Sequence, residues 1–334
     1  MNYDPFLDPF MARKWLCLTC DVKLNFDSLK KHMEKTAHID FLRDSYLPSI
    51  YPETTGPVWN DKSEQRKAFE TTIKKIATNL PDILAGKSMR ELDGVCKGQD
   101  CIIIGAGPSL ESNKHLNLLA QSNFKGSIIM TDRILNSALE AGITPDKYDI
   151  YVNTLDDREE ILPRFYNYEI VKKWIKDLKF LYAININHTL VDWTGMHGGL
   201  IYWYQPIRDY NNEETPSFDL IFRLMFAAGG QQPLPILPDG GNVGTCSFML
   251  AHLVLKARRV ILLGMDLSVK GDTKYEVEES ENIKKQQSQF DYYRKALCHI
   301  LKVYHEAAVI NCTEGGALSD PRLKSMKFSD YLNG

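Results

Sequence analysis

Gly105, Gly107, Pro108 and Ser109 sit in the run Cys101-Ile-Ile-Ile-Gly-Ala-Gly-Pro-Ser-Leu110. Two glycines without bulk let a backbone come close to a ligand. Proline suits the first turn of a helix, where its missing N–H costs nothing. Free N–H groups at a helix start, with the positive end of the dipole, favour an anion, most simply a phosphate. A second cluster, Pro238-Asp-Gly-Gly241-Asn242-Val-Gly244-Thr245, also opens a helix, and Thr245 can cap it or meet a phosphate. The first cluster is not a full dinucleotide fingerprint, because Leu110 stands where the third glycine would fall. It is not a P-loop either, since no Gly-Lys-Ser/Thr follows.

These corners need strands and helices to hold them. Cys101–Ile104 is continuous and β-branched, as a buried parallel strand would be. Further strands are expected at Ser127–Thr131, Tyr148–Thr154, Phe180–Ile186, Leu200–Tyr204, Arg259–Leu263 and Ala308–Asn311. Helices are expected at Ser109–Ala120, Ile134–Ala141, Phe218–Ala228 and Asn282–His305. Strand and helix signals alternate, which predicts an α/β, Rossmann-like, open and mostly parallel sheet with helices on both faces. Ligands bind such sheets beyond the carboxyl ends of the strands. Asp132, Asp156, Asp157 and Asp266 fall there, each just after an apolar strand. The polar and aromatic stretch Asn187–Pro216, with Trp193, Tyr202, Trp203 and Tyr204, reads as an acceptor-binding flap.

Near the start stand Cys17, Cys20, His32 and His38, spaced C-x2-C-x11-H-x5-H. Two thiolates on a knuckle and two imidazoles one helical stretch later are the ligand set of a closed tetrahedral zinc site. Leu24 and Leu29 can make its small core, with a helix over Asp27–Lys35. This segment resembles a C2H2 finger with widely spaced histidines. Lys30, Lys31 and Lys35 on that helix allow a nucleic-acid contact, and a protein-docking role is equally open. Prolines 48, 52 and 57 mark a linker, followed by helices at Asn60–Leu80 and Asp82–Leu92. The expected organisation is a zinc finger at 12–42, a linker and helical lead-in at 43–96, and the α/β domain at 97–330.

With 334 residues and a net charge of −3, the chain has no global pull toward nucleic acid or an anionic membrane. No apolar run approaches the roughly 18 residues of a membrane span. The first residues lack a signal peptide's basic start and apolar middle. Seven scattered cysteines argue for a reducing cytoplasm.

Taken together, Ile-Ile-Gly-Ala-Gly-Pro-Ser-Leu, Gly-Gly-Asn-Val-Gly-Thr, Ile-Leu-Leu-Gly-Met-Asp and Asn-Cys-Thr-Glu-Gly-Gly-Ala resemble the archaeal 6-hydroxymethylpterin diphosphokinase-like family. The resemblance spans roughly Lys97–Leu318; the finger lies outside it. It implies diphosphate transfer from ATP to the hydroxymethyl group of a reduced pterin, releasing AMP. It further implies a magnesium ion held by strand-end acids, with Asp132 and Asp266 as the preferred pair and Asp156 and Asp157 as further candidates. Gly105, Gly107, Pro108, Ser109, Gly241, Asn242, Gly244, Thr245 and Thr313 would line the phosphates, and Glu314 would orient a ring amine or stabilise its own loop. Some relatives are associated with flagellin glycosylation, and the fold is similar to that of certain bacterial sialyltransferases. The alternative is therefore a glycosyltransferase with a nucleotide-activated (CMP-) sugar donor, using His188 or His197 as base. A third reading is an RNA-associated finger on an inert α/β body. Expected partners are a nucleotide, a small-molecule acceptor and, through the finger, RNA, DNA or protein. A homo-oligomer is left open, and no membrane partner is expected.

Overall fold

A computed structural model describes residues 62–206, 234–268 and 280–334, together with three short strands at 14–17, 22–25 and 41–43. Those three strands, β1 (Lys14–Cys17), β2 (Val22–Asn25) and β3 (Phe41–Arg43), form an antiparallel sheet of order β2-β1-β3. Cys17 closes β1 and pairs with Val22 on one side and Phe41 on the other. Cys20, His32 and His38 lie outside the described residues, as do the side chain of Cys17, the expected finger helix and the helix expected at Phe218–Ala228.

The body is built on a ten-stranded sheet whose pairings are all parallel. Its strands are β4 (Lys87–Ser88), β5 (Asp100–Ile104), β6 (Ser127–Thr131), β7 (Asp149–Thr154), β8 (Lys179–Ala183), β9 (Leu200–Pro206), β10 (Ile236–Leu237), β11 (Arg259–Leu263), β12 (Val309–Asn311) and β13 (Lys324–Ser325). Their order is β10-β9-β8-β7-β6-β5-β11-β12-β13, with β4 sharing the β9 edge with β10. Both faces of β5 are buried, as its unbroken apolar run requires. Cys101 and Ile103 face one core with Phe248, Met249, Leu297 and Ile300. Ile102 and Ile104 face the other with Leu110, Leu119, Leu139, Val171 and Phe328. Helices therefore cover both sides, as expected for this α/β class.

Several helices differ from expectation. The one after β5 is broken into α2 (Ser109–Ser112) and α3 (His115–Gln121). Lys114 between them takes a left-handed φ of 53°, and the Asn113 amide donates to the Glu314 carbonyl at 3.3 Å. The lead-in helix α1 (Lys62–Ala85) runs through Pro81. Core residues Ile76 and Ile83 anchor it, and the Asn79 amide donates to the carbonyls of Ile184 and Ile186 at 3.0 and 2.8 Å. Beyond it the chain forms β4 and a single turn, Met89–Leu92, in place of a second helix.

The expected aromatic flap is core through residue 206. Its helix α6 (His188–Met196) buries Trp193, and β9 buries Tyr202, Trp203 and Tyr204. At the amino end of β5, buried Asp100 accepts from Arg258, Arg259 and Tyr331. Burial pushes its carboxyl up, but these donors outweigh that and hold it below the usual value. No helix among the described residues is long and apolar enough to cross a membrane.

Candidate functional site

From β5 the chain lays strands outward through β6, β7, β8 and β9, then returns to the opposite side of β5 as β11. The carboxyl ends of β5 and β11 are thus a topological switch point, the place where open sheets of this kind take a ligand in a crevice. The pairings Ile104↔Leu263 and Ile104↔Met130 set three loops side by side. They are Thr131–Asp132, Gly105–Gly107 and Gly264–Asp266. With strands about 4.8 Å apart, the backbones of Asp132 and Asp266 flank the glycine corner about 10 Å from each other.

The corner is fused to the β11 loop. Gly105 N–H donates to Leu263 O and Gly107 N–H to Gly264 O, both at 2.8 Å. The Ser109 hydroxyl donates to Asp266 Oδ2 at 2.6 Å, and its N–H to Asp266 Oδ1 at 3.3 Å. A Cβ on Gly107 would stand 2.6 Å from both Asp266 Cγ and Gly264 O. This differs from the expected phosphate cradle. The glycines let two backbones and a carboxylate close on each other, and the anion in the corner is the chain's own Asp266. Pro108 starts only a four-residue helix, so little dipole stands behind it. A corner that presents a carboxylate suits a cation, or an anion that arrives with one.

The other two glycine clusters meet the same β11 loop. The second opens α7 (Val243–Met249), whose first turn lies at the strand-end rim. Asn242 Oδ1 accepts the Thr245 N–H at 2.9 Å, and Asn242 Nδ2 donates to Thr245 Oγ1 at 2.8 Å. The polar groups of Asn242 and Thr245 thus cap the helix. The first N–H groups of α7, on Val243 and Gly244, have no acceptor within the helix. Gly241 packs beside Tyr292 and Tyr293, and Gly244 beside Met265, whose Sδ is 2.5 Å from where its Cβ would be. Asn153, at the end of β7, donates to Ser247 Oγ at 3.0 Å and ties α7 to the sheet.

In the third cluster Thr313 Oγ1 accepts the Met265 N–H at 3.2 Å, and Ala317 N–H donates to Asp266 O at 2.8 Å. Glu314 turns away from the crevice. Its Oε1 meets His115 Nε2 at 3.1 Å and accepts the Phe328 N–H at 2.8 Å, capping α9 (Phe328–Asn333). Of its two expected roles, the geometry fits support of the loop. Sequence spacing singles out neither Met265 nor Asn153; only the Gly-Met-Asp after an apolar strand points toward the former.

Of the remaining acids, Asp132 and Asp156 feel each other's charge, whereas Asp157 turns to Lys75. Asp132 is buried, with Oδ1 accepting the Arg133 N–H at 2.7 Å. Its Oδ2, and Thr131 Oγ1 beside it, are buried without a hydrogen-bond partner among the described residues. Burial, offset partly by the Arg133 N–H and reinforced by the charge of Asp156, pushes the Asp132 carboxyl up to about 7. Asp156 is clamped by the Arg158 guanidinium at 2.5 Å, and Asp157 pairs with Lys75 at 2.8 Å.

His188 does not join the crevice. It follows β8, the third strand from β5 and about 14 Å along the sheet. Its ring is held by Asn79 at 3.0 Å and Asp192 at 3.3 Å, so it docks the lead-in helix. His197 bonds the Trp193 carbonyl at 2.8 Å at the far end of α6, the amino side of the sheet.

An open parallel sheet with helices on both faces and a switch point between β5 and β11 defines an α/β protein. The family described as 6-hydroxymethylpterin diphosphokinase MptE-like matches residues 74–272, more than half of the chain. The chain belongs to this family, and membership places it among pterin-kinase-like and related transferases. No curated protein matches. A hypothetical protein of Thermus thermophilus, known from its crystal structure, aligns over 72% of this chain and 78% of its own. Its identity is 12% and its TM-score 0.21, too low to carry an argument.

Proposed function

We propose that the chain transfers diphosphate from ATP to the hydroxymethyl group of a reduced pterin and releases AMP. The observation that carries this reading is the convergence of three glycine-bearing loops on the Gly264–Asp266 loop at the switch point, two of them on Asp266 and the third on Met265. Family membership supports the reaction class, and the crevice supports a metal–nucleotide donor. Among the described residues no three His, Cys, Asp or Glu side chains gather around one point. A magnesium ion that arrives on nucleotide phosphates needs only one or two protein carboxylates, and Asp266, oriented by Ser109, would hold it. When bound, the ion neutralises charge on the transferred group. The first N–H groups of α7 would add donors to the phosphates.

Incubation with ATP, magnesium and 6-hydroxymethyl-dihydropterin is expected to release AMP in equal amount to the pterin diphosphate. ATP is expected to raise the melting temperature with magnesium and not with EDTA, because bare phosphate would face the Asp266 carboxylate. CMP released from a CMP-sugar would instead favour the glycosyltransferase alternative, whose expected base, His188, is engaged elsewhere. Salt-sensitive RNA binding without nucleotide turnover would favour the scaffold reading.

We further propose a structural zinc ion on Cys17, Cys20, His32 and His38. The small sheet supports it: Cys17 pairs with both Val22 and Phe41. Cys20 falls in the β1–β2 connection, and His38 precedes Phe41 by three residues. Elemental analysis is expected to find one zinc per chain and to lose it in Cys20→Ser. A zinc-free wild type removes the finger.

A further inference from the structure

Several aromatic contacts of the body are sealed in its cores, among them the pairs Phe180–Tyr182 and Tyr182–Trp203. One aromatic group is not. Phe290, Tyr292 and Tyr293 lie midway along α8 (Ser280–Val303), and all three are only half-buried. Their rings touch. Tyr292 and Tyr293 are 5.8 Å apart and tilted by 56°, and Phe290 meets Tyr293 edge-on at 6.2 Å. The Tyr293 hydroxyl accepts from the Gln289 amide, which restrains its ring.

Their height in the fold places them at the rim. α8 connects the parallel strands β11 and β12, so it runs back against the strand direction. It covers the same face as α7, since Leu297 and Ile300 share a core with Phe248 and Met249. From Tyr292 to the helix end at Val303 the rise is roughly 16 Å, and the five residues of β11 span roughly 17 Å. The rings thus stand level with the carboxyl ends of the strands.

They also border the second glycine loop. A Cβ on Gly241 would stand 2.6 Å from Tyr292 Cε1 and 3.0 Å from Tyr293 Cε1, so both ring edges meet this residue. Gly241 is exposed, and Asn242 and Val243 are half-buried. The other end of the same loop, Gly244, rests on Met265, the neighbour of Asp266. One short turn of chain therefore separates an accessible aromatic wall from the carboxylate corner. Side chains that served only to pack the turn would gain most from full burial, and these forgo it.

We propose that Tyr292 and Tyr293 form the subsite for a planar nitrogen-heteroaromatic ring. The inference takes its two candidate rings, the adenine of the donor and the pterin of the acceptor, from the diphosphate-transfer reading. Aromatic walls suit such a ring because π-faces stack on one another whatever the substituents. Tyrosine supplies that face with only two rotatable side-chain bonds, so little freedom is lost on binding.

The test is titration calorimetry on Tyr292→Leu/Tyr293→Leu, which keeps apolar bulk and removes the rings, beside Tyr292→Phe/Tyr293→Phe, which keeps them. The probes are magnesium-ATP, magnesium tripolyphosphate, which has no ring, and 6-hydroxymethyl-dihydropterin. The leucine variant is expected to bind at least one ring-bearing probe about 10-fold or more weakly than wild type, with tripolyphosphate unchanged to within about twofold. Weakened ATP assigns the ring as adenine, and weakened dihydropterin assigns it as pterin. The phenylalanine variant is expected to bind all three as wild type does.

If neither ring-bearing probe weakens, the proposal is overturned. It is overturned too if tripolyphosphate weakens as much as ATP, since the tyrosines would then only shape the loop, or if phenylalanine is as damaging as leucine. Should the leucine pair not fold, Tyr292→Leu alone is judged by the same outcomes. The reaction fails separately. A wild type that binds ATP in this way yet forms no pterin diphosphate refutes the transfer reading and leaves the ring subsite standing, whereas one that binds neither ring-bearing probe overturns both.

Discussion

Gly107→Val is expected to abolish magnesium-dependent nucleotide binding and to destabilise the body by about 3 kcal/mol. The added Cβ overlaps the Asp266 carboxylate and stands 2.6 Å from Gly264 O. Asp266 can rotate away, at the loss of both its bonds to Ser109. The Gly264 carbonyl is backbone and cannot, so the fused loops must separate. Titration calorimetry with magnesium-ATP should show affinity weakened at least about 100-fold, or about 2.7 kcal/mol. Urea unfolding supplies the stability term. Affinity and stability both equal to wild type would take this corner out of the site. Gly107→Ala should also cost less in an Asp266→Ala background, since the two changes address one overlap.

The second large effect is expected at the third corner, in Gly316→Ala. Gly316 has a φ of +72°, and its Cβ would overlap the backbone of Asp266, with Asp266 C at 2.6 Å. Left-handed strain and a clash with main chain act together, for a loss of about 3 kcal/mol. A loss of that size lowers the melting temperature by roughly 6–12 °C. Gly98→Ala separates the two causes. Gly98 has a φ of +81° with nothing within 4 Å of the added atom, so it reports strain alone. If the two variants melt together, the contact with Asp266 is not what Gly316 serves.

The strands around the site could be read from the sequence nearly to the residue. β5, β6 and β11 are unbroken apolar runs ending in Gly or Asp, and a parallel strand buried on both faces has little other way to be written. The broken helix after Ser109 could not be read. The contact at the break, Asn113 donating to Glu314, spans 201 residues. Pro81 reads as a stop, yet α1 continues because Ile83 has a core to enter. Trp203 and Tyr204 read as a flap because aromatic content does not reveal burial; parallel pairing with β8 decides it.

In the site, residue types point to Gly107, Ser109 and Asp266 separately. Their closure on one another crosses 157 residues, and no local spacing encodes it. For the same reason the sequence suggests that the glycine loop offers its N–H groups to a ligand, whereas Gly105 and Gly107 give theirs to the β11 loop.

The insertion of β5 between β6 and β11 also bears on how the protein is made. β5 through β9 follow one another along the chain and can zip together as they leave the ribosome. The opposite wall comes much later, since Arg259 pairs with Asp100 across 159 residues, and the Thr313–Gly316 corner later still. Until then the β5 edge, flanked by Ile102, Ile103 and Ile104, is an open template for stray pairing. A nascent chain stalled before β11 would carry the glycine corner without its carboxylate partner. It would be a candidate for chaperone capture and would have no competence toward ligand. The three corners in this architecture are therefore brought together only late in synthesis.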